Sequence, residues 1–247
     1  MKLAANLTML FGDAPMWERI DAAADAGFTG IEILQPYGED PIDLRHTLEA
    51  AGPGLVLINT AEPDWEAGGR GHAAVPGQTD AFRKHLDRAL AFASDAGAEI
   101  IHILAGRAEG AEARETYLAN LAFACDSAPD MAFTIEPLNP ADQPGYFLND
   151  FEQAADILDT LGRANLSLQF DTYHAHRITG DARAAWTRHC GRVGHVQVAG
   201  PDRHEPGADE IALLQAIATS VYTGWISAEY QPKADTEEGL GWMTDLI

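Results

Sequence analysis

Leu166-Ser167-Leu168-Gln169-Phe170-Asp171 alternates apolar with polar side chains and ends on a carboxylate. The run is too short for a helix and reads as a strand, with Leu168 and Phe170 on one face and Gln169 and Asp171 on the other. Three more runs in the second half of the chain have the same form: Ala132-Phe133-Thr134-Ile135-Glu136, Val193-Gly194-His195-Val196-Gln197 and Trp225-Ile226-Ser227-Ala228-Glu229. Parity sets Phe133 and Ile135, Val196 and Val198, and Ile226 and Ala228 on one face, against Thr134 and Glu136, His195 and Gln197, and Ser227 and Glu229 on the other. The apolar faces suit a surrounding ring of helices and the polar faces a barrel axis.

Extending the reading to the whole chain gives strands at 2–6, 29–34, 55–59, 99–104, 132–136, 166–171, 193–198 and 225–229. Helical periodicity fills most gaps: Met16–Ala26, Ile42–Ala51, Thr79–Ala96, Glu112–Ser127, Asp150–Leu161, Ala182–His189, Glu210–Ser220 and a last stretch near Glu237–Leu246. Gly27, Gly52, Gly97 and Gly162 stand where these helices should stop. Strict β-α alternation makes a parallel sheet, and eight units close a (β/α)8 TIM barrel of about 250 residues, which the 247 residues match as a single domain. An open doubly wound sheet is the runner-up. It would ordinarily carry a glycine-rich phosphate loop after an early strand, and Asn6-Leu7-Thr8-Met9-Leu10-Phe11-Gly12 has none. The longest irregular connection, Thr60 to Gln78, contains Trp65, Arg70 and His72 and reads as a functional cover.

With 46% hydrophobic and 22% charged residues, the chain is composed to bury a core. Its formal net charge of -22 opposes phosphate backbones and anionic lipid, so nucleic acid and membrane are not expected partners. Only Cys125 and Cys190 occur, too few for a disulfide framework, and a cytoplasmic location is the default expectation. The apolar start, Met1 to Phe11, is interrupted by Asn6 and Thr8 and reads as the first strand rather than a leader.

Glu136, Asp171, Gln197 and Glu229 close strands five to eight, at the C-terminal ends where barrel enzymes build their active sites. Three carboxylates brought together repel one another and raise one another's pKa unless a cation neutralises them. A divalent metal is the economical answer. Oxygen ligands, with Gln197 using its amide carbonyl, suit Mg²⁺ or Mn²⁺ better than zinc, unless His174 or His195 enters the set. Each of these side chains taken alone has an ordinary reading. Glu32 can be a structural ion pair, His102 and His195 satisfied core groups, and Arg70 and Arg203 solvated loop charges.

A further set of motifs runs nearly end to end: Ala5-Asn6-Leu7-Thr8-Met9-Leu10-Phe11-Gly12, Gly27-Phe28-Thr29-Gly30-Ile31-Glu32, Asp64-Trp65-Glu66-Ala67-Gly68-Gly69-Arg70-Gly71, Ile135-Glu136-Pro137-Leu138-Asn139, Gln169-Phe170-Asp171-Thr172-Tyr173-His174, Gly194-His195-Val196-Gln197-Val198-Ala199, Glu205-Pro206-Gly207 and Ala228-Glu229-Tyr230. In these the chain resembles the hydroxypyruvate isomerase branch of the xylose-isomerase-like TIM barrels, which also includes ketose 3-epimerases. The resemblance implies a metal held by Glu136, Asp171, Gln197 and Glu229, with Glu136 and Glu229 also moving protons. It implies an enediolate reaction interconverting hydroxypyruvate and tartronate semialdehyde, and barrels that commonly associate into homo-oligomers. For such a carboxylate-bearing substrate, His174 is expected to bond a substrate oxygen, Arg203 or Arg70 to meet the carboxylate, and Trp65 and Phe11 to exclude water. A ketose 3-epimerase on the same site is the nearest alternative. From another class, a catalytically inactive barrel that binds a metal or a small acid has the same ligand set. A Schiff-base aldolase is excluded, because Lys2, Lys84 and Lys233 do not stand at strand C-termini.

Overall fold

In the computed structural model, which describes residues 1–12 and 14–246, the expected strands form one closed parallel barrel in sequence order. They are β1 (Lys2–Asn6), β2 (Gly30–Glu32), β3 (Gly54–Asn59), β4 (Ile100–His102), β5 (Ala132–Ile135), β6 (Leu166–Asp171), β7 (Val193–Val198) and β8 (Trp225–Ala228). The helices are α1 (Met16–Asp25), α2 (Pro41–Ala51), α3 (Thr79–Ala96), α4 (Gly110–Ser127), α5 (Phe151–Leu161), α6 (Thr172–Thr179), α7 (Ala182–His189) and α8 (Ala208–Ala218). No described helix is long and apolar enough to cross a membrane.

Local chemistry explains several helix starts. Asp40 accepts from Ile42 N and Asp43 N at 2.9 and 3.1 Å, with Pro41 at the first helical position. Asp150 caps α5 through Gln153 N at 2.9 Å, and Asp181 caps α7 through Ala184 N at 2.9 Å. Two elements differ from the sequence reading. Helix α6 follows β6 without a loop, because the side chain of Asp171 accepts from Tyr173 N at 2.8 Å and turns the strand directly into a helix. The last stretch, Thr236–Leu246, is a 3-10 helix rather than an α-helix; Gly239 and Gly241 weaken α-helical preference there.

The outward faces pack as the alternation requires. Phe170 of β6 stands 5.5 Å from Phe151 of α5 and 5.4 Å from Trp186 of α7, ring centre to ring centre. Aromatic pairs of this kind contribute about 0.5–1.5 kcal/mol beyond the area they bury. They fix the outer face of β6 against its helices, and so commit Gln169 and Asp171 to the interior.

The barrel floor is apolar. Ala4, Val56, Leu57 and Ile100 cluster there with Trp225 against them, and the Trp225 indole donates to Glu99 Oε2 at 2.9 Å. Gly30 makes room for this plug, since a Cβ on it would lie 2.6 Å from both Trp225 and Val56. Above the floor the registers align the polar side chains into a layer. Asn6 stands beside Glu32 across β1 and β2, and Asp171 beside Gln197 across β6 and β7.

Candidate active site

Over that layer opens a cavity of ≈ 200 Å³ lined by Glu136, Gln197 and Glu229 at the strand ends, by His174 of α6, by Arg203 of the β7–α8 loop and by Trp65 and Arg70 of the β3–α3 loop. Glu136 and Glu229 each follow the last residue of a strand and Asp171 ends one, so the carboxylates rise from β5, β6 and β8 into one space.

Their charges are held by neighbours rather than by water. Burial and the adjacent Asp171 carboxylate push Glu136 well above the ordinary carboxyl range. Burial does the same to Glu229; the Arg203 guanidinium offsets this in part, while repulsion from Glu32 and Asp171 adds to it. Arg203 donates to Asp171 Oδ2 at 2.5 Å and also to Glu229 Oε1. Burial works against its charge, yet these carboxylates keep its pKa above the usual arginine value. Its guanidinium lies 4.7 Å over the Tyr173 ring, and Tyr173 in turn donates its hydroxyl to Asp142 Oδ2 at 2.5 Å. The backbone of Arg203 takes φ +64°, the left-handed turn that aims the side chain inward.

His174 approaches Glu136 Oε1 and Asp171 Oδ2 to 3.9 Å with its Nε2. Glu136, Asp171 and His174 thus offer atoms within 4.8 Å of one another, a spacing able to hold a metal ion. The tautomer argues for a different part for the histidine. Asn139 N donates to His174 Nδ1 at 2.9 Å, and a peptide N–H can only donate, so Nδ1 is bare. Burial lowers the His174 pKa to about 4, and the neutral ring then carries its one proton on Nε2. An Nε2–H pointing into the cavity donates a hydrogen bond and does not ligate. His102, lowered to about 3 by burial, is likewise neutral and lies 3.1 Å from Asn59 Oδ1 and 3.7 Å from Glu136 Oε2.

Gln197 donates its Nε2 to Glu32 Oε1 and Glu229 Oε2, and its Oε1 accepts from Gln169 Nε2 at 2.8 Å. Gln169 also donates to Glu136 Oε2 at 2.9 Å. The donor set fits a hard divalent cation: carboxylates raised by mutual repulsion, plus an amide oxygen, suit oxygen-seeking ions. Arg203 supplies a positive charge to Asp171 and Glu229.

Other expected residues divide. Arg70 reaches the cavity, but its guanidinium stacks 4.1 Å over Trp65 and donates to Gly69 O at 2.6 Å and Trp65 O at 3.2 Å. Trp65 lines the cavity as expected. Phe11 is not among the lining residues and its place is taken by Met9; Phe11 adopts φ +57° and its N–H donates to Thr236 Oγ1 at 2.8 Å, which turns it into the core. The polar layer adds Asn6, Glu32, Asn59 and Gln169, which the sequence reading left as structural or passed over. Glu32 carried the same signal as Glu136, Asp171 and Glu229, a carboxylate at a strand end. Burial works to raise its pKa, but the bond and charge of His195, 3.0 Å away, hold Glu32 below the ordinary carboxyl value.

Known proteins share this architecture. The family model described as xylose isomerase-like TIM barrel matches residues 20–246. A 2-oxo-tetronate isomerase of Cupriavidus necator is 42% identical over 100% of this chain and 98% of that protein. A hydroxypyruvate isomerase of Escherichia coli is 36% identical, covering 98% of each chain. A solved structure named AP endonuclease, family 2, from Brucella melitensis superposes with a TM-score of 0.93 at 36% identity, covering 98% of each chain.

Proposed function

This chain belongs to the xylose isomerase-like TIM barrel family and is an isomerase, and from that premise we propose that it moves a proton between adjacent carbons of a short 2-oxo acid through an enediolate. Hydroxypyruvate and tartronate semialdehyde are the proposed pair. The observation that carries the reading is the pair of buried glutamates, Glu136 and Glu229, both raised above ordinary carboxyl values and both lining one cavity with a histidine and an arginine. A carboxyl whose pKa is raised exchanges protons with carbon acids more effectively than an ordinary one, and positioned acid-base groups of this kind contribute about 10²–10⁴ in rate.

Glu136 takes the proton from one carbon and Glu229 returns one to its neighbour, or the reverse. The Nε2–H of His174 donates to the substrate oxygen that gains negative charge. Arg203, released from Asp171 and Glu229, meets the substrate carboxylate, and Arg70 with Trp65 closes the rim. Glu136, Asp171, Gln197 through its carbonyl oxygen, and Glu229 would hold Mg²⁺ or Mn²⁺, which supplies Lewis-acid stabilisation of the adjacent oxygens.

A second substrate, 2-oxo-tetronate, is favoured by the relative at 42% identity that bears its name. The name endonuclease on one similar structure is not carried over, because the net charge of -22 opposes a phosphate backbone. The test is to incubate the Mn²⁺-loaded protein in D₂O with hydroxypyruvate, 2-oxo-tetronate and several ketoses, following deuterium and product by NMR. Exchange with either acid and not with ketoses supports the reading. Exchange with ketoses alone makes it an epimerase, and none with any substrate makes it a binding protein.

A further inference from the structure

Below the cavity, a backbone group decides which way a chain of side-chain amides points. Thr8 N donates to Asn6 Oδ1 at 2.9 Å. Since a peptide N–H cannot accept, the other end of the Asn6 amide, Nδ2, is a donor, and it reaches Glu32 Oε1 at 2.9 Å and Glu229 Oε2 at 3.1 Å. Those two oxygens are acceptors. Gln197 places one terminal atom against the same two oxygens. A carbonyl there would set an acceptor against two acceptors in a fully buried place, and a buried polar group left unpaired is costly. The NH₂ must therefore face Glu32 and Glu229.

The carbonyl oxygen of Gln197 is left to face away, toward Gln169 Nε2 at 2.8 Å. Gln169 continues the sense of the chain, donating to Glu136 Oε2 at 2.9 Å and accepting from the Thr134 hydroxyl at 2.8 Å. Glu32 is held in register on its second oxygen by His195 Nε2 at 3.0 Å. Asn6, Glu32, Gln169, His195 and Gln197 are all essentially inaccessible to solvent, so no water substitutes for a misdirected partner.

We propose that Asn6 and Glu32 are positioning residues that fix the amide of Gln197, with its nitrogen toward β1, β2 and β8 and its carbonyl oxygen toward β5 and β6. The orientation is a property of the protein alone. Its consequence, that Gln197 presents oxygen rather than nitrogen to a cation, rests on the ion reading given under Proposed function. The test separates the two. Neutron diffraction from crystals of the perdeuterated wild-type protein locates the two deuterons of the Gln197 amide. Deuterons facing Glu32 and Glu229 are expected; deuterons facing Gln169 overturn the assignment.

In parallel, Mn²⁺ binding is measured by calorimetry on wild type, Glu32→Gln and Asn6→Asp. Glu32→Gln keeps the shape but lets the carboxamide present either a donor or an acceptor, and partners that orient a ligand typically carry 10–100-fold in metal affinity. At least a tenfold loss of Mn²⁺ affinity is expected in a variant whose Tm shows it to be folded. Unchanged affinity in a folded variant overturns the positioning role. A wild-type protein that binds no Mn²⁺ but shows the expected deuterons rejects the ion reading and upholds the orientation. If neither variant folds, the neutron structure alone decides.

Discussion

Burial and like charges penalise the ionised forms of Glu136 and Glu229 and raise both above the ordinary carboxyl range. A raised folded pKa means that the native state holds more protons than the unfolded chain above the ordinary carboxyl value of 4.5. Stability supplied by that proton is present at low pH and is lost as pH rises toward the folded value. Glu136→Gln removes the titration, so in EDTA the Tm of the variant should gain on wild type between pH 5 and pH 8; a constant difference would show that the charge of Glu136 costs the fold nothing. The same variant should lower kcat by at least about 10² if Glu136 moves a proton, read as deuterium exchange per unit time. His174 gives a separate signature. With its pKa near 4 and Nδ1 bonded to a peptide N–H, its ¹⁵N shifts should report the neutral Nε2–H tautomer throughout pH 5.5–8; a doubly protonated ring at pH 6 would remove it as the neutral donor described above.

At the scale of elements, the β3–α3 loop covers the cavity because one carboxylate gathers it. Glu62 accepts from Asp64 N at 3.0 Å through one oxygen and from Gly71 N at 2.6 Å through the other. Arg107, which follows β4, ties the same loop to the segment after β5 by donating to Gly68 O at 2.6 Å and to Pro144 O at 3.3 Å. Gly71 takes φ +93°, and a Cβ on it would lie 2.6 Å from the Leu104 carbonyl carbon. Gly71→Ala should therefore dislodge Trp65 and Arg70, raising KM severalfold and lowering stability by about 1–3 kcal/mol, measured by steady-state kinetics and thermal unfolding. Much of this level was legible in the sequence. Two-residue periodicity separated Phe170 from Asp171, and short apolar runs ending in acid or amide marked β5 to β8. What escaped did so for local reasons. Thr172 to Thr179 is poor in strong helix formers and begins on a cap that was already counted as a ligand. Phe11 looked like a cover for the site until its left-handed backbone turned it inward. Glu32 reads as a possible structural ion pair because one carboxylate at one strand end is ambiguous until the register sets it beside Asn6 and the side chain of Gln197 against it.

For the molecule as a whole, repulsion inside the site makes cation binding and folding stability one equilibrium. An ion that binds the native state alone adds about 2.7 kcal/mol at 100 times its Kd, so Mn²⁺ should raise Tm in a concentration-dependent way and EDTA should reverse the rise. A Tm indifferent to Mn²⁺ and Mg²⁺ would remove the ion from this account. The net charge of -22 gives a broader attraction for cations, and 0.5 M NaCl should weaken that general part while leaving the affinity of the buried site largely in place. Asn6 of β1 and Glu229 beyond β8 are 223 residues apart and meet in one hydrogen bond, while Leu3 pairs with Ile226 and Trp225 plugs the floor. On a ribosome adding about 5–20 residues per second, the first strand waits many seconds for its partner. The nascent chain thus travels most of its synthesis with an open sheet edge and no working site, and chaperone contact and catalytic competence should exchange places in the single step that joins the two ends.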